Sequence, residues 1–237
     1  MVENEPRHRS WDDFEIYLFD IDGTLLHCAD AVHYFAFCNV LESIVGRPVT
    51  LEGVVAHGNT DVGIIRDALR LSGLSDADWR PLIPEIKRAM CEYVQARQEE
   101  LCVSALPGVR DVLEHLRNKG KKLGVATGNL ETIGRLKLKR AGLLPFFEFG
   151  CWSDTCETRA EVFHIARAKA GAIASEAASI CVVGDTPADI AAARANELRV
   201  IAVASGIYPA EVLRAGAPDL CVHSLTELLG APQLLPA

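Results

Sequence analysis

The chain has 237 residues, 49% of them hydrophobic and 24% charged, which is ordinary globular composition with enough apolar material for a sizeable core. A formal charge of -8, with Lys and Arg scattered along the chain, offers no basic footprint for nucleic acid or for an anionic membrane surface. No apolar run approaches the ~20 residues that span a bilayer, and the polar start from Val2 to Ser10 is unlike a signal peptide.

In chain order, the first apolar run is Ile16 to Phe19, and it ends in two carboxylates one residue apart, Asp20 and Asp22. Like charges so placed are unfavourable unless a cation lies between them. From about Asp30 to Ser104 the pattern is helical with no convincing buried strand. Tyr34, Phe35, Cys38 and Leu41 suit one helix face, Ile64, Ile65, Ala68 and Leu69 a second, and Ile86, Ala89, Met90 and Tyr93 a third. Gly46-Arg47-Pro48 and the stretch Ser72 to Pro84 separate them, and the loop His57-Gly58-Asn59-Thr60-Asp61 is unusually polar.

Further along, Lys122 to Ala126 precedes Thr127-Gly128-Asn129, Ser179 to Val183 precedes Gly184-Asp185, and Val200 to Ala204 precedes Ser205-Gly206. Helical patterns lie between these runs, as in Val109, Val112, Leu113 and Leu116 after Pro107-Gly108, or Ile133, Leu136 and Leu138 before Gly142. Strands alternating with helices predict a doubly wound parallel sheet, an α/β core, with an all-helical insertion. In such sheets the carboxyl ends of the strands meet at one rim, which would gather Asp20, Thr127 and Asp185. The core is expected over 10–29 and 105–237 and the helical subdomain over 30–104.

The eight cysteines form no CxxC pair and no zinc spacing, so they read as reduced thiols of a cytoplasmic protein, with Cys181 a small core residue. Several polar residues also have purely structural explanations. Asp22-Gly23 is a strong turn signal, Thr127 suits a helix N-cap, and Thr186-Pro187-Ala188-Asp189 fits a capping box with Pro at the first helical position. His8, His33, His115, His164 and His223 read as surface or ordinary helix residues. His27 and His57 stand apart only because one follows the Asp20 loop and the other opens the polar loop of the insertion. Trp11, Trp79 and Trp152 read as packing residues.

Taken together, Asp20-Ile21-Asp22-Gly23-Thr24, Thr127 after a strand, a basic residue, and Gly184-Asp185-Thr186-Pro187-Ala188-Asp189 resemble the four-motif pattern of the haloacid dehalogenase superfamily, in its phosphatase branch. The resemblance covers nearly the whole chain, and the helical insertion looks like that family's cap. Thr127-Gly128-Asn129-Leu130, Arg135-Leu136-Lys137-Leu138 and Ala141-Gly142-Leu143 are similar to the phosphoglycolate phosphatase subgroup.

The resemblance implies a magnesium-dependent phosphatase acting on a small phosphorylated metabolite, with Asp20 as a nucleophile that forms an aspartyl phosphate and Asp22 as acid and base. Magnesium would be held by Asp20, Asp185 and the backbone carbonyl of Asp22, with Asp189 in support. Phosphate would meet Thr127 and the N–H groups of Gly23, Thr24, Gly128 and Asn129. Where most relatives carry a lysine followed by proline, this chain has Thr158-Arg159-Ala160-Glu161, so Arg159 is the expected phosphate clamp. Lys137, Lys139 and Arg140 compete for that role but are expected to face solvent. Substrate contacts from the insertion are expected at His57, Asn59 and Thr60, and from the core at His27.

A dehalogenase is disfavoured because such relatives lack the second aspartate. A β-phosphoglucomutase-like mutase shares every core residue, and a non-enzymatic phosphate-binding or phospho-switch module is the alternative from another class. No nucleic acid or membrane partner is expected, and either a monomer or a homodimer is compatible with the sequence.

Overall fold

The computed structural model describes residues 10–175 and 177–230. His8 and the tail 231–237 therefore lie outside the described residues. The core is a six-stranded sheet built from β1 (Ile16–Phe19), β4 (Lys122–Ala126), β5 (Phe149–Cys151), β6 (Ile180–Gly184), β7 (Arg199–Val203) and β8 (Leu220–Val222), in the order β5-β4-β1-β6-β7-β8. All of its pairings are parallel. The two edge strands, β5 and β8, are three residues each and too short to stand out in the sequence, whereas the four longer runs fall close to where periodicity puts them.

The period of two along a strand explains why the sheet is covered twice. In β1, Tyr17 and Phe19 enter a cluster with Val109, Val112, Leu113 and Leu116 of α5 (Val109–Asn118). Ile16 and Leu18 enter the opposite cluster with Val162, Phe163 and Ala166 of α7 (Arg159–Ile173) and Ile190 of α8 (Pro187–Ala195). Cys181 is buried in the first of these layers. Tyr17 also spends its hydroxyl inside, donating to the Trp11 carbonyl at 2.7 Å, as a buried phenol must.

Between β2 (Leu26–Cys28) and β3 (Val103–Ala105), which pair antiparallel as a separate ribbon, lie the inserted helices α1 (Val32–Val45), α2 (Asp61–Leu71), the single turn α3 (Asp76–Trp79) and α4 (Ile83–Ala96). Their common core holds Val40, Leu41, Ile65, Leu69, Trp79, Ile86 and Met90, and it takes in Leu130 and Ile133 of the sheet domain, the latter on α6 (Glu131–Arg140). The insertion thus shares apolar surface with the turn that follows β4. The buried face of α1 is rotated from the expected one. Val32, Ala36, Phe37 and Val40 point inward, while Tyr34 and Phe35 are half exposed, because α1 packs chiefly against α4 along that stripe. Among the described residues no helix is long and apolar enough to cross a membrane.

Candidate active site

Parallel pairing fixes the rim. Phe19 lies in register with Val125 of β4 and Val183 of β6, so the residues just beyond, Asp20, Thr127 and Asp185, emerge side by side. They line one cavity of about 310 Å³ together with Asp22, Gly128, Asn129, Lys137, Arg159 and Thr186. The inserted helices roof it with His33, Tyr34, the loop Ala56 to Asn59, Asp61 and Ile64.

One half of the floor is a buried acidic group. Asp20, Asp185 and Asp189 can bring one oxygen each within 4.8 Å of one another, and all three are buried. Arg159, at the first turn of α7 behind a Thr158–Glu161 capping box, is their cation. Its Nη2 stands 2.8 Å from Asp20 Oδ1 and 2.6 Å from Asp189 Oδ1, and its Nε donates to Asp189 Oδ1 at 2.8 Å. Burial is the main force on Asp20 and Asp185 and pushes both carboxyls up; Arg159 opposes it most strongly at Asp20, and the Asp20 charge adds to it at Asp185.

Fully ionised, three carboxylates and one guanidinium leave two negative charges in a dry rim, the deficit a divalent cation would fill. The oxygen-only donor set suits a hard ion such as magnesium. Thr24 holds Asp185 in place, its hydroxyl donating to Oδ1 at 2.9 Å. Gly23, at φ 84°, leaves no room for a Cβ beside that carboxylate.

The other half of the floor is a separate, balanced pair. Lys137 Nζ donates to both Asp22 oxygens, at 2.7 and 2.9 Å, and to Asn129 Oδ1 at 2.9 Å. Asn129 Nδ2 donates to Asp22 Oδ2 at 2.8 Å and Cys28 Sγ to Oδ1 at 2.9 Å. Burial alone would raise the Asp22 carboxyl. The charge of Lys137 and the hydrogen bonds from Cys28, Lys137 and Asn129 outweigh it and hold the group well below the usual carboxylate range. Two carboxylates one residue apart are thus driven in opposite directions, Asp20 up by burial that Arg159 only partly offsets and Asp22 down by Lys137 and its hydrogen bonds.

Several expected roles change on this geometry. Lys137 does not face solvent: its side chain is 5% exposed and points into the cavity floor. Position ten residues after Thr127, on the inner stripe of α6, was the only sequence signal for it. His33 is likewise a cavity residue and no ordinary surface histidine, with Nδ1 3.2 Å from Lys137 Nζ and Nε2 3.2 Å from Asp61 Oδ2.

The Gly23 N–H is spent on the Leu26 carbonyl at 2.9 Å, so it closes the turn and is not a phosphate donor. Thr24 is fully buried behind Asp185, outside the cavity lining. Asn129 braces Asp22 and the Thr127 hydroxyl with its amide. Asp189 has its two oxygens engaged by Arg159 and by Thr186, whose hydroxyl donates at 2.7 Å within the capping box. Thr127 is not a helix cap, because α6 starts later, with Leu130 at its N-cap.

Of the loop residues, His57 and Asn59 line the cavity, whereas Thr60 is buried as the N-cap of α2, its hydroxyl accepting from Gly63 N–H at 2.9 Å. His27 projects to solvent from β2, opposite Ser104, and is not part of the lining. The alternation of a strand explains this, since Leu26 beside it takes the inward position.

The roof is held on the floor by main-chain contacts. The Asp61 N–H donates to the Gly128 carbonyl at 2.7 Å, and Asp61 Oδ2 accepts from the Leu130 N–H at 2.8 Å. Gly128 lies so close under Asn59 that a Cβ there would overlap the Asn59 carbonyl.

Residues 17–203 match the family model described as haloacid dehalogenase-like hydrolase. A phosphoglycolate phosphatase of Cereibacter sphaeroides is 30% identical over 196 residues, covering 82% of this chain and 87% of its own. The pyrophosphatase PpaX of Bacillus pumilus is 26% identical over 219 residues, or 90% of this chain and 93% of its own. Among solved structures, CbbY from Rhodobacter sphaeroides in complex with phosphate superposes with a TM-score of 0.64 at 22% identity, covering 91% of this chain and 96% of that one. The match spans β1 through β7, and with it every strand end that lines the cavity floor: the chain belongs to the haloacid dehalogenase-like hydrolases.

Proposed function

We propose that this enzyme hydrolyses a small phosphate monoester, phosphoglycolate-like or a sugar phosphate, through an aspartyl phosphate on Asp20. The observation that carries the reading is the convergence of Asp20, Asp22, Thr127, Arg159 and Asp185 on one cavity of about 310 Å³, a size suited to a small ester. Phosphatases among the relatives support the same chemistry.

In this reading the substrate phosphoryl group lies among the Thr127 hydroxyl, the Gly128 N–H and the Arg159 guanidinium. Asp20 Oδ attacks phosphorus as the ester oxygen departs, and that oxygen takes a proton from the Asp22 carboxyl, which must first take up that proton against the pull of Lys137. Water then attacks the aspartyl phosphate and gives its proton to Asp22, which releases inorganic phosphate and restores Asp20. Asp20 and Asp185, with the Asp22 carbonyl, would hold magnesium, which when bound supplies positive charge against the phosphoryl oxygens; Asp189 serves by fixing Arg159. Residues 30–104 act as a cap over a core of 10–29 and 105–237, with the β2–β3 ribbon between them, and its closure excludes bulk water.

The test is phosphate release from a panel of small phosphate monoesters with and without magnesium, wild type beside Asp20→Asn. Magnesium-dependent release that falls by several orders of magnitude in the variant supports the reading. Isomerised sugar phosphate without release would instead make the protein a mutase, and no turnover in a folded, magnesium-binding protein would make it a binding module.

A further inference from the structure

Among the described residues Lys137 is the one buried ammonium on the cavity floor, and the phosphatase chemistry just described gives it no task. Its three N–H groups are all spent inside the protein, on Asp22, on Asn129 Oδ1 and on His33 Nδ1, so none remains for a substrate phosphate. An ammonium has no lone pair. The His33 Nδ1 at 3.2 Å must therefore accept, which leaves the ring proton on Nε2, the atom that faces Asp61 Oδ2 at 3.2 Å. His33 is fixed from behind by stacking on Phe37, ring centroids 5.1 Å apart. Asp61 is in turn pinned to the N-terminus of α6, the helix that carries Lys137, through the Leu130 N–H. Lys137 thus joins one core carboxylate, Asp22, to two residues of the inserted helices.

We propose that Lys137 is the positioning residue of Asp22, holding its carboxylate in line with the leaving oxygen, and that His33, backed by Asp61, holds Lys137 only when the inserted helices are seated. The inference rests on the phosphatase reading, with Asp22 as the acid and base. Lys137 acts through the Asp22 carboxylate it holds and has no N–H left for the substrate phosphate or the leaving oxygen. Its loss should therefore harm esters in proportion to how much their leaving group needs a proton, and should add nothing once Asp22 is gone.

The experiment is a double-mutant cycle of Asp22→Asn and Lys137→Met, read with an alkyl phosphate and with p-nitrophenyl phosphate. The doubly substituted protein is charge-matched, so it remains a usable arm if Lys137→Met alone, with Asp22 left uncompensated, does not fold. Lys137→Met is expected to lower kcat on the alkyl ester by about 100-fold or more, the range of acid–base assistance, with KM within about 3-fold. The single-turnover burst of nitrophenolate, a leaving group that needs no proton, should fall by less than about 10-fold. The double variant should be within about 3-fold of Asp22→Asn.

His33→Phe keeps the ring on Phe37 and removes both nitrogens; a selective loss of about 10-fold on the alkyl ester is expected. Losses that multiply in the double variant, or that fall equally on both esters, make Lys137 a binding or purely structural group and overturn the proposal. An unchanged His33→Phe overturns its link to the inserted helices. A wild type that turns over neither ester defeats the phosphatase reading itself, an outcome distinct from an additive cycle in an active enzyme.

Discussion

Gly58 sits in the loop of the inserted helices with φ 82°, and a Cβ added there would lie 2.7 Å from Thr186 Oγ1 and 2.8 Å from Ala188 Cβ. Ordinary contact for such a carbon begins at 3.4 Å, so in Gly58→Ala the loop must retreat by about 0.7 Å from the turn that follows Asp185. Gly73 supplies the control: it has the same φ of 82° with nothing within 4 Å of the added carbon. Both alanines should cost about 1–2 kcal/mol for left-handed backbone, roughly a 2–8 °C fall in melting temperature for a chain of this size. Only Gly58→Ala should disturb the cavity, because its neighbours His57 and Asn59 line it. A displacement approaching 1 Å costs up to ~100-fold in turnover, so kcat/KM is expected to drop by about 10- to 100-fold in Gly58→Ala and by less than about 3-fold in Gly73→Ala. Phosphate release and thermal melting on the two variants decide it. Equal activity in both would refute the argument that the loop must rest on this turn for catalysis.

Arg159→Met strands Asp20 and Asp189 without their cation and should destabilise the fold by about 3–5 kcal/mol in denaturant titrations. Arg159→Lys should recover most of that stability but little turnover, since an ammonium cannot reproduce the fork. In metal-free protein the raised carboxyls of Asp20 and Asp185 contribute stability below the ordinary carboxylate value, near pH 4, that is lost as pH rises through their folded values. The melting temperature should accordingly sag toward neutral pH, and added magnesium should remove that slope in the wild type but not in Asp185→Asn. Asp12 behaves oppositely. Burial raises its carboxyl, but Lys119 and His115, at 2.6 and 2.7 Å, and Ser10 hold it well below the ordinary range, so it stabilises above about pH 4 and fails on acidification below that. Asp12→Asn should lower stability at pH 7 by about 1–3 kcal/mol and flatten the wild-type decline below about pH 4.

The sheet was legible because its central strands are buried on both faces and so are written as unbroken apolar runs, each ending in a polar residue. The edge strand Leu220–Val222 has only partial burial, which gives periodicity nothing to detect. At the rim, the residues whose chemistry depends on strand position were readable in the same way. Asp20, Thr127 and Asp185 follow from topology alone. Those whose place depends on packing between distant helices were not. His33 reaches the cavity because α1 is rotated to bury Phe37 and Val40. Lys137 looked like one of three solvent-facing cations on α6, and only the inward stripe it shares with Ile133 and Leu138 separates it from Lys139 and Arg140. Where a turn residue seemed to offer a donor, the backbone had already used it, as Gly23 does toward Leu26.

The two aspartates that follow β1 differ in environment because the chain assigns them different cations from different distances. Arg159 reaches Asp20 from the start of α7 and is shared with Asp189, so it cannot neutralise that group of carboxylates, a shortfall that a divalent ion would fill. Lys137 reaches Asp22 from α6 and balances it alone, with Asn129 and Cys28 completing its shell. Exchanging the cations would test this division. Lys137→Arg should push its larger fork against His33 and loosen the roof, whereas Arg159→Lys leaves the roof untouched. The expected signature is faster proteolysis within 56–61 for the first and no change there for the second. Identical cleavage rates in the two variants would mean that the roof rests on Asp61 and Gly128 without any help from the Lys137–His33 contact.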